Sequence, residues 1–174
     1  MPWLPGPAPE RVSRLDSVIR RLEAQRLCLN EAARLVDRRP GHILEIGLGN
    51  GRTYDHLRCL FPQVDIYCFD RRIAAHPDCI PDDGHMFLGD LAETIPLAAR
   101  RLGPAAILAH ADIGSGDRQA SLDLASWLAE ALPPLLAGSA IVMGDQPLPN
   151  PAWTALDLPR GIAQGRYHMY RATP

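Results

Sequence analysis

The chain has 174 residues and a mass of 19.1 kDa, the length of one domain, which leaves no room for a second of full size. Apolar residues make up 47% and charged residues 22%, enough for a sizeable core and unlike a disordered chain. Eighteen basic against twenty acidic side chains give a net charge of −2, so no general electrostatic attraction draws the chain to nucleic acid or to an anionic membrane.

Every basic residue is Arg and none is Lys, which removes Schiff-base catalysis and P-loop phosphate binding. Cys28, Cys59, Cys68 and Cys79 form no C-x-x-C pair and sit in apolar or mixed runs. They read as reduced, packed thiols, and the expected location is cytoplasmic. The proline-rich first nine residues lack the apolar run of a signal peptide, and no stretch reaches the roughly 18 apolar residues of a membrane helix. Neither secretion nor membrane insertion is expected, and residues 1–174 read as a single domain.

In chain order, residues 1–9 predict an extended lead-in. From Glu10 to Asp37, Val12, Leu15, Ile19, Leu22, Leu27, Ala32, Leu35 and Val36 recur mostly three to five apart, the buried face of one helix or two short ones. Packing on the core is its plain role; capping a site or meeting a partner is the alternative. Arg38, Arg39, Pro40 and Gly41 supply the stop. Beyond them, short apolar runs at 42–46, 64–69, 85–88, 105–111 and 139–143 predict strands buried on both faces. Helices fit between them at Thr53–Leu60, Ala92–Leu102 and Arg118–Leu136, the last capped by Asp117 and ending before Gly138. The alternation predicts an α/β fold, a doubly wound, mostly parallel sheet. WTALDL and RYHMYR offer two further strands, a terminal antiparallel pair.

Ligands of open α/β sheets bind beyond the carboxyl ends of the strands. Each predicted strand ends in or just before an acid: Glu45, Asp70, Asp90 after Gly89, Asp112, and Asp145 after Gly144. Singly, each would pass for a turn or cap residue. Together, at intervals of about one βα unit, they line one edge of the sheet. The first strand runs into Gly47-Leu48-Gly49-Asn50-Gly51 and then a helix, a loop whose glycines let the backbone approach a ligand. Its G-x-G-x-G spacing is not the G-x-G-x-x-G of dinucleotide binders. Asp70 stands where an acid accepts hydrogen bonds from ribose hydroxyls. Carboxylates around the loop repel a pyrophosphate and favour a nucleoside bearing positive charge.

LEIGLGNGRTY, YCFD, FLGD and AHAD, spread over residues 42–145, resemble the successive motifs of the class I S-adenosylmethionine-dependent methyltransferases. The resemblance implies a Rossmann-like fold, S-adenosylmethionine as methyl donor and S-adenosylhomocysteine as product. It implies that Glu45 supports the glycine loop and the donor's amino group, that Gly47, Gly49 and Gly51 line the methionine portion with Asn50 and Arg52 nearby, and that Asp70 holds the ribose. Arg71 would flank the adenine, Asp90 would face its amino group with Gly89 and Leu91 beside it, and Asp112, Ile113 and Gly114 would lie where donor and acceptor meet.

Two other readings stay open: a donor-binding protein without transfer activity, and an NADP-dependent oxidoreductase in which Arg71 and Arg72 hold the 2′-phosphate. For an O- or N-directed transfer the candidate bases are Asp112 first, Asp145 second, then His110 and His168. No metal is expected, although Asp112, Asp117 and Asp145 make a cation conceivable; His76, Cys79 and His85 match no strong zinc spacing. Without an appended substrate domain or basic groove, the expected acceptor is a small molecule, with no nucleic acid or membrane partner. A homo-oligomer would bury the N-terminal helix.

Overall fold

The five apolar runs between His42 and Gly144 become the parallel strands of one sheet in the computed structural model, which describes residues 11–173. The lead-in expected over residues 1–9 lies outside the described residues. The strands are β1 (His42–Ile46), β2 (Ile66–Asp70), β3 (Met86–Leu88), β4 (Ala106–Ala111) and β5 (Leu136–Gly144). Every residue of β1 and β4 is buried, because helices cover both faces of the sheet. Two short strands, β6 (Trp153–Ala155) and β7 (His168–Ala172), complete the order β3-β2-β1-β4-β5-β7-β6. Strand β7 is antiparallel to both its neighbours, as the terminal pair predicts. The chain winds outward from β1 to β3 and then returns to place β4 on the other side of β1. That reversal opens a crevice at the carboxyl ends of β1 and β4.

Alternate residues of each central strand feed two cores. On one face, Ile43, Ile107 and Met143 pack with Leu29 and Val36 of α1 (Arg14–Val36) and Leu57 of α2 (Arg52–Leu60). On the other, Leu44, Phe69 and Val142 pack with Ile95 of α3 (Leu91–Leu102) and Leu128 of α4 (Arg118–Ala131). Ser13, Asp90 and Asp117 each accept a backbone N–H in the first turn of α1, α3 and α4.

Two expectations are corrected. The last long helix was expected to reach Leu136, but it stops at Ala131 because Pro133 and Pro134 lack amide hydrogens and crowd the preceding turn. Gly138 therefore lies inside β5 and caps nothing. In α1, one unbroken helix of 23 residues, Leu15 and Ile19 were placed on a buried face yet are 70% and 43% exposed. Its length, roughly 35 Å at 1.5 Å per residue, outruns strands of roughly 20 Å. Burial begins only at Ala24, so the first turns overhang the carboxyl edge of the sheet. Among the described residues no helix is long and apolar enough to cross a membrane.

Candidate active site

The loop after β1 is shaped by its glycines and by the strands beside it. Gly47 and Leu48 donate their amides to the Phe69 carbonyl at 2.8 and 3.2 Å. Gly47 has φ +88°, and a Cβ there would land on the Asp112 carbonyl oxygen. Only glycine therefore lets this loop pass so close to the end of β4. Gly51, also left-handed at φ +84°, starts α2. Gly49 has open space before it, and its amide donates to Asp70 Oδ2 at 2.9 Å.

Beyond this loop lies a cleft of about 420 Å³, bordered by Gly47, Gly49, Asp70, Arg71, Leu91, Asp112 and Ile113. Ser121 and Leu124 of α4 close its far side. Asp70 ends β2 and also accepts the Arg72 amide at 3.3 Å. Arg71 Nη2 reaches Asp90 Oδ2 at 3.0 Å, an exposed pair that ties the end of β2 to the start of α3. Gly89, just after β3, donates its amide to the Asp70 carbonyl at 2.9 Å.

A smaller pocket of about 90 Å³ shares Gly49 and Asp112 with the cleft and adds Asn50, Arg52, Arg21 and Gln25. Gln25, 4% exposed, donates Nε2 to Asp112 Oδ2 at 2.8 Å. The minority role weighed for the N-terminal helix, capping a site, is the one its Arg21–Gln25 stretch occupies. Arg21 and Gln25 were not anticipated, nor were Ser121 and Leu124. One clue was legible for Gln25: a polar side chain beside Ala24 and one turn before Cys28 and Leu29, in the buried stripe of α1.

The other expected acids have structural partners. Asp145 Oδ1 accepts the Ile113 amide at 3.0 Å, and Oδ2 accepts the Gly114 amide at 2.9 Å and Gln146 Nε2 at 3.1 Å. Both oxygens are thus committed to the turn after β4, which leaves Asp145 poorly placed to take a substrate proton. Asp112 has only Oδ2 engaged among the described residues. Asp117 caps α4.

Glu45 lies wholly buried beneath the loop, outside the cleft. Thr53 donates to its Oε1, and its Oε2 faces His110 Nδ1 at 2.6 Å. The second ring nitrogen of His110 meets the Tyr167 hydroxyl. Burial pushes the Tyr167 phenol well up, so it keeps its proton and donates to Nε2. Burial works against protonation of His110, the Glu45 carboxylate works for it, and the balance lies upward. The phenol opposes that rise, because it needs an acceptor at Nε2. This chain of four side chains joins α2, β1, β4 and the residue just before β7. His168, opposite Gly144 in the sheet, stands at the same edge; burial lowers its pKa against the pull of Asp145.

Comparison with known proteins matches residues 12–172 to the family model described as S-adenosyl-L-methionine methyltransferase. No curated protein matches. Among solved structures, an S-adenosyl-L-methionine methyl transferase from Silicibacter pomeroyi DSS-3 is 37% identical over 92% of this chain and 99% of its own, with a TM-score of 0.87. TrmN from Thermus thermophilus is 17% identical over 82% of this chain and 46% of its own, at a TM-score of 0.55. The antibiotic-resistance methyltransferase Kmr is 13% identical over 96% and 97%, at 0.50. The last two share the fold alone. A family match over residues 12–172, joined to a near full-length relative of the same description, shows the family: the chain belongs to the S-adenosyl-L-methionine methyltransferase family.

Proposed function

We propose that the cleft between β1 and β4 holds S-adenosylmethionine with its ribose on Asp70 and its adenine between Arg71, Leu91 and Ile113, with Asp90 at the adenine edge. The amino-acid tail then enters the small pocket under α1. The observation that carries this reading is the charge of that pocket, which is lined by Asp112 together with Arg21 and Arg52 and shares Gly49 and Asp112 with the cleft. The α-carboxylate of the tail pairs with the guanidiniums, and the sulfonium, which lies between that tail and the ribose, gains from Asp112. Glu45 acts at a distance, by holding Thr53 at the start of α2 and thereby the loop.

Transfer is an in-line displacement. A lone pair on the acceptor oxygen or nitrogen forms the new bond to the methyl carbon, and the C–S pair stays on sulfur as a thioether. Asp112 takes the acceptor's proton, and Asp145 fixes the turn that carries Asp112. The acceptor in this reading is a small molecule, since the chain's net charge of −2 offers nucleic acid no general attraction. Four unpaired cysteines support a cytoplasmic setting. Exposed Leu15, Val18 and Ile19 on α1 support a homo-oligomer, which light scattering on the purified protein tests directly.

Calorimetric titration with S-adenosylmethionine, S-adenosylhomocysteine and NADPH tests the site. Micromolar binding of the first two and none of the third is expected, about −8 kcal/mol. Binding of NADPH alone would overturn the assignment.

A further inference from the structure

We propose that Gln25 is a positioning residue for the transfer: its carboxamide keeps Asp112 off Arg21 and Arg52, so that the carboxylate stays available to the sulfonium and the guanidiniums to the α-carboxylate. This rests on the donor reading above.

The small pocket holds opposite charges that do not meet. Asp112, Arg21 and Arg52 all line its volume of about 90 Å³. Neither arginine forms an ion pair with Asp112 among the described residues. Opposite charges so close attract each other, so their separation needs a restraint. Part of it is in the backbone, for the Asp112 amide donates to the Ile46 carbonyl at 2.9 Å and the Asp112 carbonyl lies against Gly47. The side-chain torsions remain, and among the described residues Gln25 Nε2, 2.8 Å from Oδ2, is the one donor that fixes them. A carboxylate only accepts, so it is the nitrogen of the amide that must face it.

The place of Gln25 in α1 suits this task. It is 4% exposed and follows Ala24, where burial of the helix begins, so it stands on the part fixed to the sheet. Arg21 is exposed and lies one turn earlier on the same face, in the overhanging part. A fixed neutral group thus restrains the carboxylate against the pull of a more mobile cation. The residue type matters as much as the place. An arginine at position 25 would itself pair with Asp112, a glutamate would repel it, and an apolar side chain would let it turn to Arg21 or Arg52. An amide N–H orients the carboxylate and leaves its charge uncompensated.

The test uses the full chain and two readouts. Gln25→Met keeps the length of the side chain and loses the N–H; Gln25→Leu is a second variant of the same kind. In the absence of ligand, NMR of the Nε–H groups of Arg21 and Arg52 should show at least one of them shifted in each variant, as the freed carboxylate pairs with it, and neither shifted once Asp112→Asn is added. In calorimetry, the ratio of the S-adenosylhomocysteine to the S-adenosylmethionine dissociation constant reports the sulfonium alone, because the two ligands share the same tail. That ratio should fall at least about threefold in Gln25→Met and in Asp112→Asn, and no further in the double variant than in Asp112→Asn. The proposal is overturned if the guanidinium resonances stay in place in both apolar variants, if these variants keep the parent's ratio while Asp112→Asn lowers it, or if the double variant loses more than Asp112→Asn, the mark of a role in packing alone. Failure of the donor reading is seen separately, as an unchanged ratio in Asp112→Asn or as absence of S-adenosylhomocysteine binding to the parent, and takes the proposal with it.

Discussion

Asp70 touches the glycine loop before any ligand arrives, since its Oδ2 already accepts the Gly49 amide. Asp70→Ala is expected to weaken S-adenosylmethionine binding by about 1–3 kcal/mol in calorimetry, through both lost ribose contacts and a looser loop. Deeper in the molecule, His110→Leu would leave Glu45 buried with one partner fewer and Tyr167 without an acceptor. A loss of about 3–5 kcal/mol in urea unfolding is expected, against about 1–2 kcal/mol for Tyr167→Phe, which removes only the outer hydroxyl. His42 shows the opposite case, for its Nε2 is buried with no hydrogen-bond partner among the described residues and burial lowers its pKa, against the pull of Asp65. With the folded value below the ordinary 6.5, the unfolded chain takes up the proton first as pH falls. The neutral ring's contribution is thus complete above that value and lost as pH drops through the folded one. His42→Phe keeps the edge-on contact with Tyr67, now 5.2 Å between centroids, and removes the orphan nitrogen. Thermal melts should show the variant gaining on the parent between pH 8 and pH 5.

At the scale of elements, the glycine loop and the caps carry the sharpest expectations. Gly47→Ala forces a side chain into a left-handed position and against the Asp112 carbonyl, so donor affinity should fall by more than about tenfold while the far-ultraviolet circular dichroism stays as it was. Asp117→Ala removes the acceptor for the Ala120 amide at the start of α4 and should cost about 1 kcal/mol in thermal or denaturant unfolding. Much of this architecture was readable beforehand. Strands buried on both faces write themselves as short apolar runs, and the acids at their ends recur because each βα unit has a similar length, which is why Asp70, Asp112 and the glycine loop could be placed on one edge. The end of α4 was misread because Gly138 was given more weight than the Pro133-Pro134 pair five residues before it. The roles of Arg21 and Gln25 were not readable, since helical periodicity shows which face is buried but not what it is buried against. Nor could spacing show that Asp145 spends both oxygens on the Ile113 and Gly114 amides, because that bond joins two loops 32 residues apart.

Among the described residues, the sheet and its two apolar layers form one block, from which the first turns of a long helix project. Helix α1 is fixed to that block from Ala24 to Val36, whereas its first turns, with Leu15 and Val18 exposed, extend past the strand ends. In mechanical terms it is a beam clamped at one end. Hydrogen exchange should therefore show a gradient, fast from Arg14 to Leu22 and slow beyond Ala24, with the step moving toward the N-terminus once a ligand bridges Arg21 and Asp112. A beam held only at its far end passes little of its load to its support, so truncating Leu15 or Val18 to Ala should leave the melting temperature nearly unchanged, whereas the same cut at the buried Leu29 should lower it markedly.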